Sequence, residues 1–164
     1  MTNIQIKLLD GRVMNAALDE TVAPITVANF LKLVDKGFYN GLILHRVIPN
    51  FMIQGGGMDP SLCPKDAKSI KGEFRANGVN NPISHKTGVL SMARTNVMDS
   101  ASSQFFICVE DCSFLDGQYA AFGELTDEES IKVAIDISKV KTVRVGYYDD
   151  MPYEPIVIQS IVRS

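Results

Sequence analysis

The chain of 164 residues is poor in several residue types on which common chemistries depend. It contains no Trp, two His and three Cys, and its 16 basic side chains are outnumbered by 19 acidic ones. A structural zinc site takes four well-spaced N or S ligands, so we expect neither a metal site nor a cofactor. The net charge of −3 does not provide the basic stripe of a nucleic-acid-binding surface, and nucleic acid is not an expected partner.

Long apolar runs are also missing. No stretch approaches about 18 consecutive apolar residues, and residues 1–6 alternate polar with apolar instead of resembling a secretory signal. The odd number of cysteines favours a reducing compartment, and we interpret Cys63, Cys108 and Cys112 as small, buried or half-buried apolar residues. The sequence therefore predicts a cytoplasmic protein without membrane contact, which we expect to be a monomer.

The length predicts one compact domain that spans residues 1–164. Short apolar runs bounded by Pro, Gly, Asn and Asp predict about eight strands. These runs cover residues 4–8, 13–18, 41–48, 51–54, 89–93, 104–109, 120–125 and 155–162.

Two segments have the spacing of helices. Residues 21–37 carry apolar side chains at helical intervals, with Pro24 near the start. Residues 126–140 begin with Thr126 and Glu129, which have the spacing of a capping box. Both segments are predicted to be helical.

The order of these elements predicts the fold class. Two helices that are far apart in sequence cannot cover a parallel sheet by right-handed crossovers. We therefore predict a mainly β protein, a closed eight-stranded antiparallel barrel capped by two α-helices. Residues 55–88 are rich in Gly and Pro, and we interpret them as a long ordered loop with a function.

The segment with the most possible chemistry is 41–57. If it continues as one strand, Arg46 shares a face with Leu44, and His45 lies on the other face. Arg cannot lose its proton, so burying it without a partner would be costly. Arg46 is either a structural residue paired with a core carboxylate, which this segment alone favours, or it lies at the floor of an apolar groove.

Two glutamines lie beside large apolar side chains. Gln104 shares a strand face with Phe106, and Gln54 shares one with Met52. These amides either contact a ligand or end the strands by bonding to loop backbone, and an isolated Gln favours the second interpretation. Residues 114–119 contain an Asp-Gly pair that, taken alone, predicts a hairpin turn.

Several reaction classes find little support. Residues 55–57 lack the Lys-Ser/Thr pair of a phosphate-binding loop. Composition leaves a serine hydrolase open, but no serine has a nucleophile-elbow pattern, and neither His45 nor His85 is spaced as its base. Cys108 and Cys112 are four residues apart and do not form a Cys-x-x-Cys redox motif.

Taken together and in this order, these segments resemble the cyclophilins, and the part around 91–106 is similar to bacterial-type members. The resemblance covers almost the whole chain. It is carried by 44–56 (LHRVIPNFMIQGG), 88–94 (GVLSMAR), 103–107 (SQFFI), 114–117 (FLDG) and 122–123 (FG).

The resemblance implies a peptidyl-prolyl isomerase that acts on X-Pro bonds of peptides and of unfolded or folded proteins, and so assists folding. It implies catalytic roles for Arg46, Phe51 and Gln54. The residues that it implies for substrate binding are Met52, Ala93, Arg94, Gln104, Phe106, Phe114, Leu115 and Tyr119. The alternative is a non-catalytic proline-peptide-binding module or chaperone that uses the same groove.

Three positions depart from the best-known eukaryotic cyclophilins. Phe114 replaces a Trp, Tyr119 replaces a His, and Arg94 replaces an Asn. Because that Trp is expected to donate a hydrogen bond to cyclosporin, we expect reduced affinity for the drug. Arg94 leaves the backbone beside the groove intact but changes the side chain and its charge.

Overall fold

The computed structural model describes residues 1–164 and contains ten strands and two α-helices. The helices are α1 (Pro24–Asp35) and α2 (Glu128–Ser138). The strands are β1 (Thr2–Leu8), β2 (Val13–Leu18), β3 (Arg46–Ile48), β4 (Met52–Gly55), β5 (Val89–Met92), β6 (Phe105–Cys108), β7 (Ala121–Leu125), β8 (Thr142–Val145), β9 (Tyr148–Pro152) and β10 (Ile158–Arg163).

Eight strands form one curled antiparallel sheet, a half-barrel with the order β10-β1-β2-β7-β5-β6-β4-β3. The prediction of a mainly β, antiparallel fold is confirmed. The strands at the two ends of the sheet, β10 and β3, are not paired with each other, so the strand pairing alone gives a half-barrel. The segment before β3 is instead bonded to the one before β10, since the Leu44 N–H donates to the Ile156 carbonyl at 3.0 Å.

The prediction that residues 41–48 form one strand is wrong. Only the last three of them form β3. Gly41, Leu42 and Leu44 bond to residues 156–158, and Ile43 bonds to Gly56 and Met58, so residues 41–44 do not continue the pairing of β3 with β4. Leu44 therefore lies in the main core while Arg46 is exposed. Side chains alternate between the two faces within β3, but the alternation does not extend to the residues before Arg46.

The hairpin of β8 and β9 was not predicted. Its strands pair separately from the main sheet and turn at Gly146, which has φ +59°. Most of its side chains are exposed or half-buried, and Tyr147 is 98% exposed. The hairpin therefore lacks the apolar pattern by which the other strands were predicted.

Both helices are shorter than predicted. Pro24 occupies the first turn of α1, as expected. The predicted capping box of Thr126 and Glu129 does not form. The extended residue directly before α2 is Asp127, and its carboxylate accepts a hydrogen bond from the Ser130 N–H at 2.7 Å.

The segment between β4 and β5 is the predicted irregular loop, with one 3-10 turn at Arg75–Asn77. Its Glu73 is buried and accepts hydrogen bonds from Thr26 in the first turn of α1, from the N–H at 2.6 Å and from the hydroxyl at 2.7 Å. Ala23, which precedes the helix, has no side chain that could cap it. Glu73 therefore caps a helix that is distant in sequence.

Apolar side chains pack on both faces of the curled sheet, in very unequal numbers. The inner face and both helices form a main core of 33 buried residues. The outer face of β4 and β6 carries a small cluster of Met52, Phe106, Cys108 and Cys112. Cys63, which we expected to be at least half-buried, is exposed.

Candidate active site

The outer face of β3, β4 and β6 places three of the predicted site residues in one row. Antiparallel register sets Arg46 opposite Gln54, and Gln54 opposite Phe106. The next row along the same strands contains Met52. The predicted pairing of Gln54 with Met52 on one face is therefore confirmed.

A cavity of about 150 Å³ opens on this face, and we call it the slot. It is far smaller than the roughly 300–1,000 Å³ typical of pockets for drug-sized ligands, so it suits one small ring or side chain. Nine of the eleven predicted site residues line it: Arg46, Phe51, Met52, Gln54, Ala93, Arg94, Phe106, Leu115 and Tyr119.

A chain of side-chain hydrogen bonds crosses the floor of the groove. Arg46 Nη1 donates to Gln54 Oε1 at 3.4 Å, and Gln54 Nε2 donates to Gln104 Oε1 at 3.0 Å. The interpretation that both glutamines bond to loop backbone is therefore wrong. Gln104 lies outside the slot and lines an adjoining cavity of about 220 Å³, together with Ser102.

Arg46 forms no ion pair, so the interpretation of a structural arginine bonded to a core carboxylate is wrong. Its one side-chain partner is the neutral amide of Gln54, at a long distance. Several of its N–H donors remain available at the slot. The charged guanidinium can therefore donate to a ligand there.

His45 lies behind Arg46 and is 6% exposed. Burial, with a smaller contribution from the charge of Arg46, lowers the pKa of His45 to about 4. Its Nδ1 has no hydrogen-bond partner. His45 is neutral near pH 7 and is a structural neighbour of Arg46.

Arg94 lines the slot and bonds to the loop that carries Tyr119. Its Nε and Nη2 donate to the Gln118 carbonyl at 2.9 and 2.8 Å, and its guanidinium lies 4.9 Å from the ring centroid of Tyr119. The backbone N–H and carbonyl of Arg94 are free of backbone hydrogen bonds. They are therefore available to an extended peptide, while the side chain secures the loop that carries Tyr119.

The loop at 113–119 is not the hairpin that its Asp-Gly pair predicted. It forms a 3-10 turn at Ser113–Leu115, and the Asp116 carboxylate accepts hydrogen bonds from His85. Phe114 lies at the rim and does not line the slot. It is 70% exposed, and its ring centroid lies 5.8 Å from that of Phe51.

Sequence reasoning missed a Ser-His-Asp line behind the slot. His85 Nδ1 lies 2.8 Å from Asp116 Oδ1, and Nε2 lies 2.9 Å from the Ser91 hydroxyl oxygen. Ser91 is fully buried beside Phe106 in the adjacent strand, so no substrate carbonyl can reach its hydroxyl. The line therefore has the residue types of a hydrolase triad without an accessible nucleophile.

Electrostatics define the protonation of this line. Burial acts to raise the pKa of Asp116, but hydrogen bonds from Ser84 and His85 outweigh it, and the pKa lies below its ordinary value. Burial lowers the pKa of His85 more than the Asp116 carboxylate raises it. At neutral pH a neutral His85 therefore donates from Nδ1 to Asp116 and accepts at Nε2 from Ser91.

Comparison with protein families gives one match that covers nearly the whole chain. Residues 3–163 match the model of the cyclophilin type peptidyl-prolyl cis-trans isomerase/CLD family. The chain is 48% identical over 149 residues to peptidyl-prolyl cis-trans isomerase A of Dickeya dadantii (strain 3937), which covers 88% of this chain and 75% of that protein. It is 42% identical over 150 residues to peptidyl-prolyl cis-trans isomerase B of Escherichia coli (strain K12), and this alignment covers 87% of this chain and 88% of that protein.

Solved structures agree with this match. A cyclophilin type peptidyl-prolyl cis-trans isomerase of Cryptosporidium parvum, determined in the presence of the dipeptide Ala-Pro, has a TM-score of 0.82 and 26% identity to this chain. The alignment covers 99% of this chain and 98% of that one. In this chain, neither helix is long and apolar enough to cross a bilayer.

Proposed function

The chain belongs to the cyclophilin type peptidyl-prolyl cis-trans isomerases, and on that premise we propose that Arg46 accelerates rotation about X-Pro bonds held in the outer-face groove. The slot takes the proline ring, and the free backbone groups of Arg94 bind the extended residues that precede proline. The observation that carries this proposal is a guanidinium without an ion-pair partner at the edge of a slot that fits one small ring.

Rotation about the X-Pro bond is slow because amide resonance must be broken, against a barrier of about 18–20 kcal/mol. An enzyme lowers this barrier when it binds the twisted amide more tightly than either planar form. No nucleophile or proton transfer is needed.

Arg46 supplies the interaction that strengthens in the twisted state. As the double-bond character is lost, the prolyl nitrogen becomes pyramidal and regains its lone pair, so it accepts a hydrogen bond better. A charged donor already in place gains strength at that moment and does not have to reorganise. Arginine suits this role because its planar, delocalised charge persists beside apolar walls.

The groove holds the two ends between which rotation occurs. Phe51, Met52, Phe106 and Leu115 enclose the ring, and Gln54 with Gln104 forms a polar floor toward the preceding residues. Fixing both sides of the bond limits motion to the rotation itself. We propose catalytic roles for Arg46, Phe51 and Gln54, and binding roles for the other groove residues.

The test is the rate of cis/trans exchange in a short X-Pro-Phe peptide, measured by NMR exchange spectroscopy. Arg46→Ala is expected to lower the catalysed rate on the order of 10²–10³-fold, as loss of one electrostatic donor does elsewhere. Its unfolding midpoint should stay at the wild-type value because Arg46 is exposed. Arg163→Ala, which removes another exposed arginine outside the slot, is the control.

Unchanged exchange in Arg46→Ala would refute the role of the guanidinium. A wild type that binds the peptide without accelerating exchange would support the alternative, a proline-peptide-binding module or chaperone. Binding alone needs the apolar slot but not Arg46.

The proposed partners are proline-containing segments of peptides and of unfolded or folded proteins, and this proposal is supported by the Ala-Pro dipeptide used with the Cryptosporidium parvum protein. We propose weak binding of cyclosporin because the rim residue is Phe114. We also propose that the chain is a single domain that acts as a monomer. We propose the cytoplasm as its compartment, and the odd number of cysteines supports this location.

We further propose that the curled sheet behaves as a closed barrel with a helix over each end. Support comes from backbone hydrogen bonds that link residues 41–44 to residues 156–158 across the gap between the two end strands. Such bonds leave fewer unpaired backbone groups at the sheet edges.

A further inference from the structure

A buried histidine that the isomerase mechanism does not use lies directly behind the slot. His85 is 1% exposed, and its ring stacks on Phe106 with centroids 6.0 Å apart and planes 16° apart. The ring of Phe106 also forms a wall of the slot. His85 therefore touches the binding surface from inside the protein.

Both ring nitrogens of His85 are held. Nδ1 bonds to Asp116 at 2.8 Å and Nε2 bonds to Ser91 at 2.9 Å. Rotation of the ring would leave buried polar groups without partners, which is costly. The plane against which Phe106 packs is therefore fixed by hydrogen bonds in addition to packing.

The same histidine reaches a second wall of the slot. Asp116 directly follows Leu115, which lines the slot, and it accepts a further hydrogen bond from the backbone N–H of His85 at 2.7 Å. The His85 carbonyl accepts a hydrogen bond from the Cys112 N–H at 2.7 Å, just before the same loop. His85 thus links the loop wall to the strand wall.

We propose that His85 is a positioning residue for the isomerase: with Asp116 and Ser91 it holds Phe106 and Leu115 at the spacing that fits a proline ring. This inference rests on the proposed function of the slot and adds a residue that does not touch the substrate. An apolar ring at this position would fill the same space but would not tie the two walls together.

The decisive variant is His85→Phe, which keeps an aromatic ring behind Phe106 and removes both ring hydrogen bonds. We expect kcat/KM for an X-Pro-Phe peptide to fall on the order of tenfold, which is less than the roughly 10²-fold that a 1 Å misplacement distant from the reacting bond can cost. The loss should appear mainly in KM, because the slot binds the ring in the planar and twisted states alike.

Asp116→Asn should shift KM in the same direction by a smaller factor. The matched control is Asp136→Asn, which makes the same chemical change in the exposed ion pair with Lys132 on α2 and should leave KM unchanged. If His85→Phe does not fold, as judged by its unfolding transition, Asp116→Asn decides the question. Wild-type KM in a folded His85→Phe, or a loss confined to kcat, would overturn the proposal.

A double-mutant cycle tests whether His85 acts through Phe106. In a Phe106→Leu background, adding His85→Phe should cost less in kcat/KM than it does in the wild type, since one of the two walls that His85 positions is already changed. If the two losses multiply, His85 does not act through Phe106 and the proposal fails.

Binding separates this inference from the proposed function. If the wild type does not accelerate exchange, the proposed function fails, but affinity for the dipeptide Ala-Pro still reports on the slot. His85→Phe should then bind the dipeptide on the order of tenfold more weakly than the wild type. Equal affinities would overturn the positioning role alone.

Discussion

The two faces of β4 and β6 have different roles, although their side chains alternate along the same two short strands. Ile53, Phe105 and Ile107 point inward and are among the 33 buried residues of the main core, whereas Met52 and Phe106 point outward and are two of the four buried residues of the outer cluster. Hydrophobic stabilisation grows with the apolar area removed from water, so most of it comes from the inner face. The outer face can therefore carry an unpaired guanidinium and an open slot without loss of the fold.

The largest effect is expected from an inward substitution. Phe105 is 1% exposed, and its ring meets those of Phe30 and Tyr39 at centroid distances of 5.5 and 5.6 Å. Phe105→Ala should lower the free energy of unfolding by about 3–5 kcal/mol, measured by urea denaturation. A loss below about 1 kcal/mol would show that the inner face does not dominate stability.

Low pH should destabilise the protein through His45. This residue directly precedes the exposed Arg46 in sequence, but its own side chain is buried. The unfolded chain binds a proton near the ordinary pKa of 6.5, and the folded chain binds it only near its lowered pKa of about 4. Stability is therefore complete above pH 6.5 and falls as the pH is lowered toward 4, by about 3 kcal/mol from this group. Urea denaturation at several pH values measures the loss.

His45→Gln is the control for this pH dependence, because glutamine does not titrate. The variant should lose less stability between pH 6.5 and 4 than the wild type, with the remainder due to His85 and the carboxylates. Identical pH dependence in both proteins would contradict the assignment.

A smaller effect is expected from the outer face. Phe51 lines the slot and is only partly buried. Phe51→Ala should weaken binding of a proline peptide by about tenfold, or about 1.4 kcal/mol, and change the unfolding free energy less than Phe105→Ala does. Titration calorimetry tests the first expectation, and wild-type affinity would argue against the slot as the binding site.

The smallest effect is expected at the rim. Phe114→Trp should strengthen cyclosporin binding by about fivefold, the equivalent of one added hydrogen bond of about 1 kcal/mol. Stability should not change, because the side chain at 114 is mostly exposed. Calorimetry on both proteins measures the difference, and equal affinities would remove the indole as the cause of weak binding.

Local patterns in the sequence predicted much of the groove. Alternation along β4 placed Met52 and Gln54 on one face, and the structure confirms it, because β4 is paired on both sides and keeps its period. The same reasoning failed for Leu44 and Arg46, since the chain changes pairing partner between them.

The Asp116–His85–Ser91 line could not be read from the sequence. Asp116 is 31 residues away from His85 in the chain, and both lie in irregular segments without a period. Their contact depends on the tertiary packing of the 113–119 loop against the segment before β5. An Asp-Gly pair predicted a hairpin there because local turn preference says nothing about a distant histidine.

The cap that Glu73 provides for α1 has a consequence for the order of folding. Its partner Thr26 is 47 residues away, so the first turn of the helix gains this cap only after the long loop has docked. Contacts of such sequence separation form late, because loop closure must be paid for first. The amides at the start of α1 should therefore exchange with solvent together with the loop, as one cooperative unit of local opening.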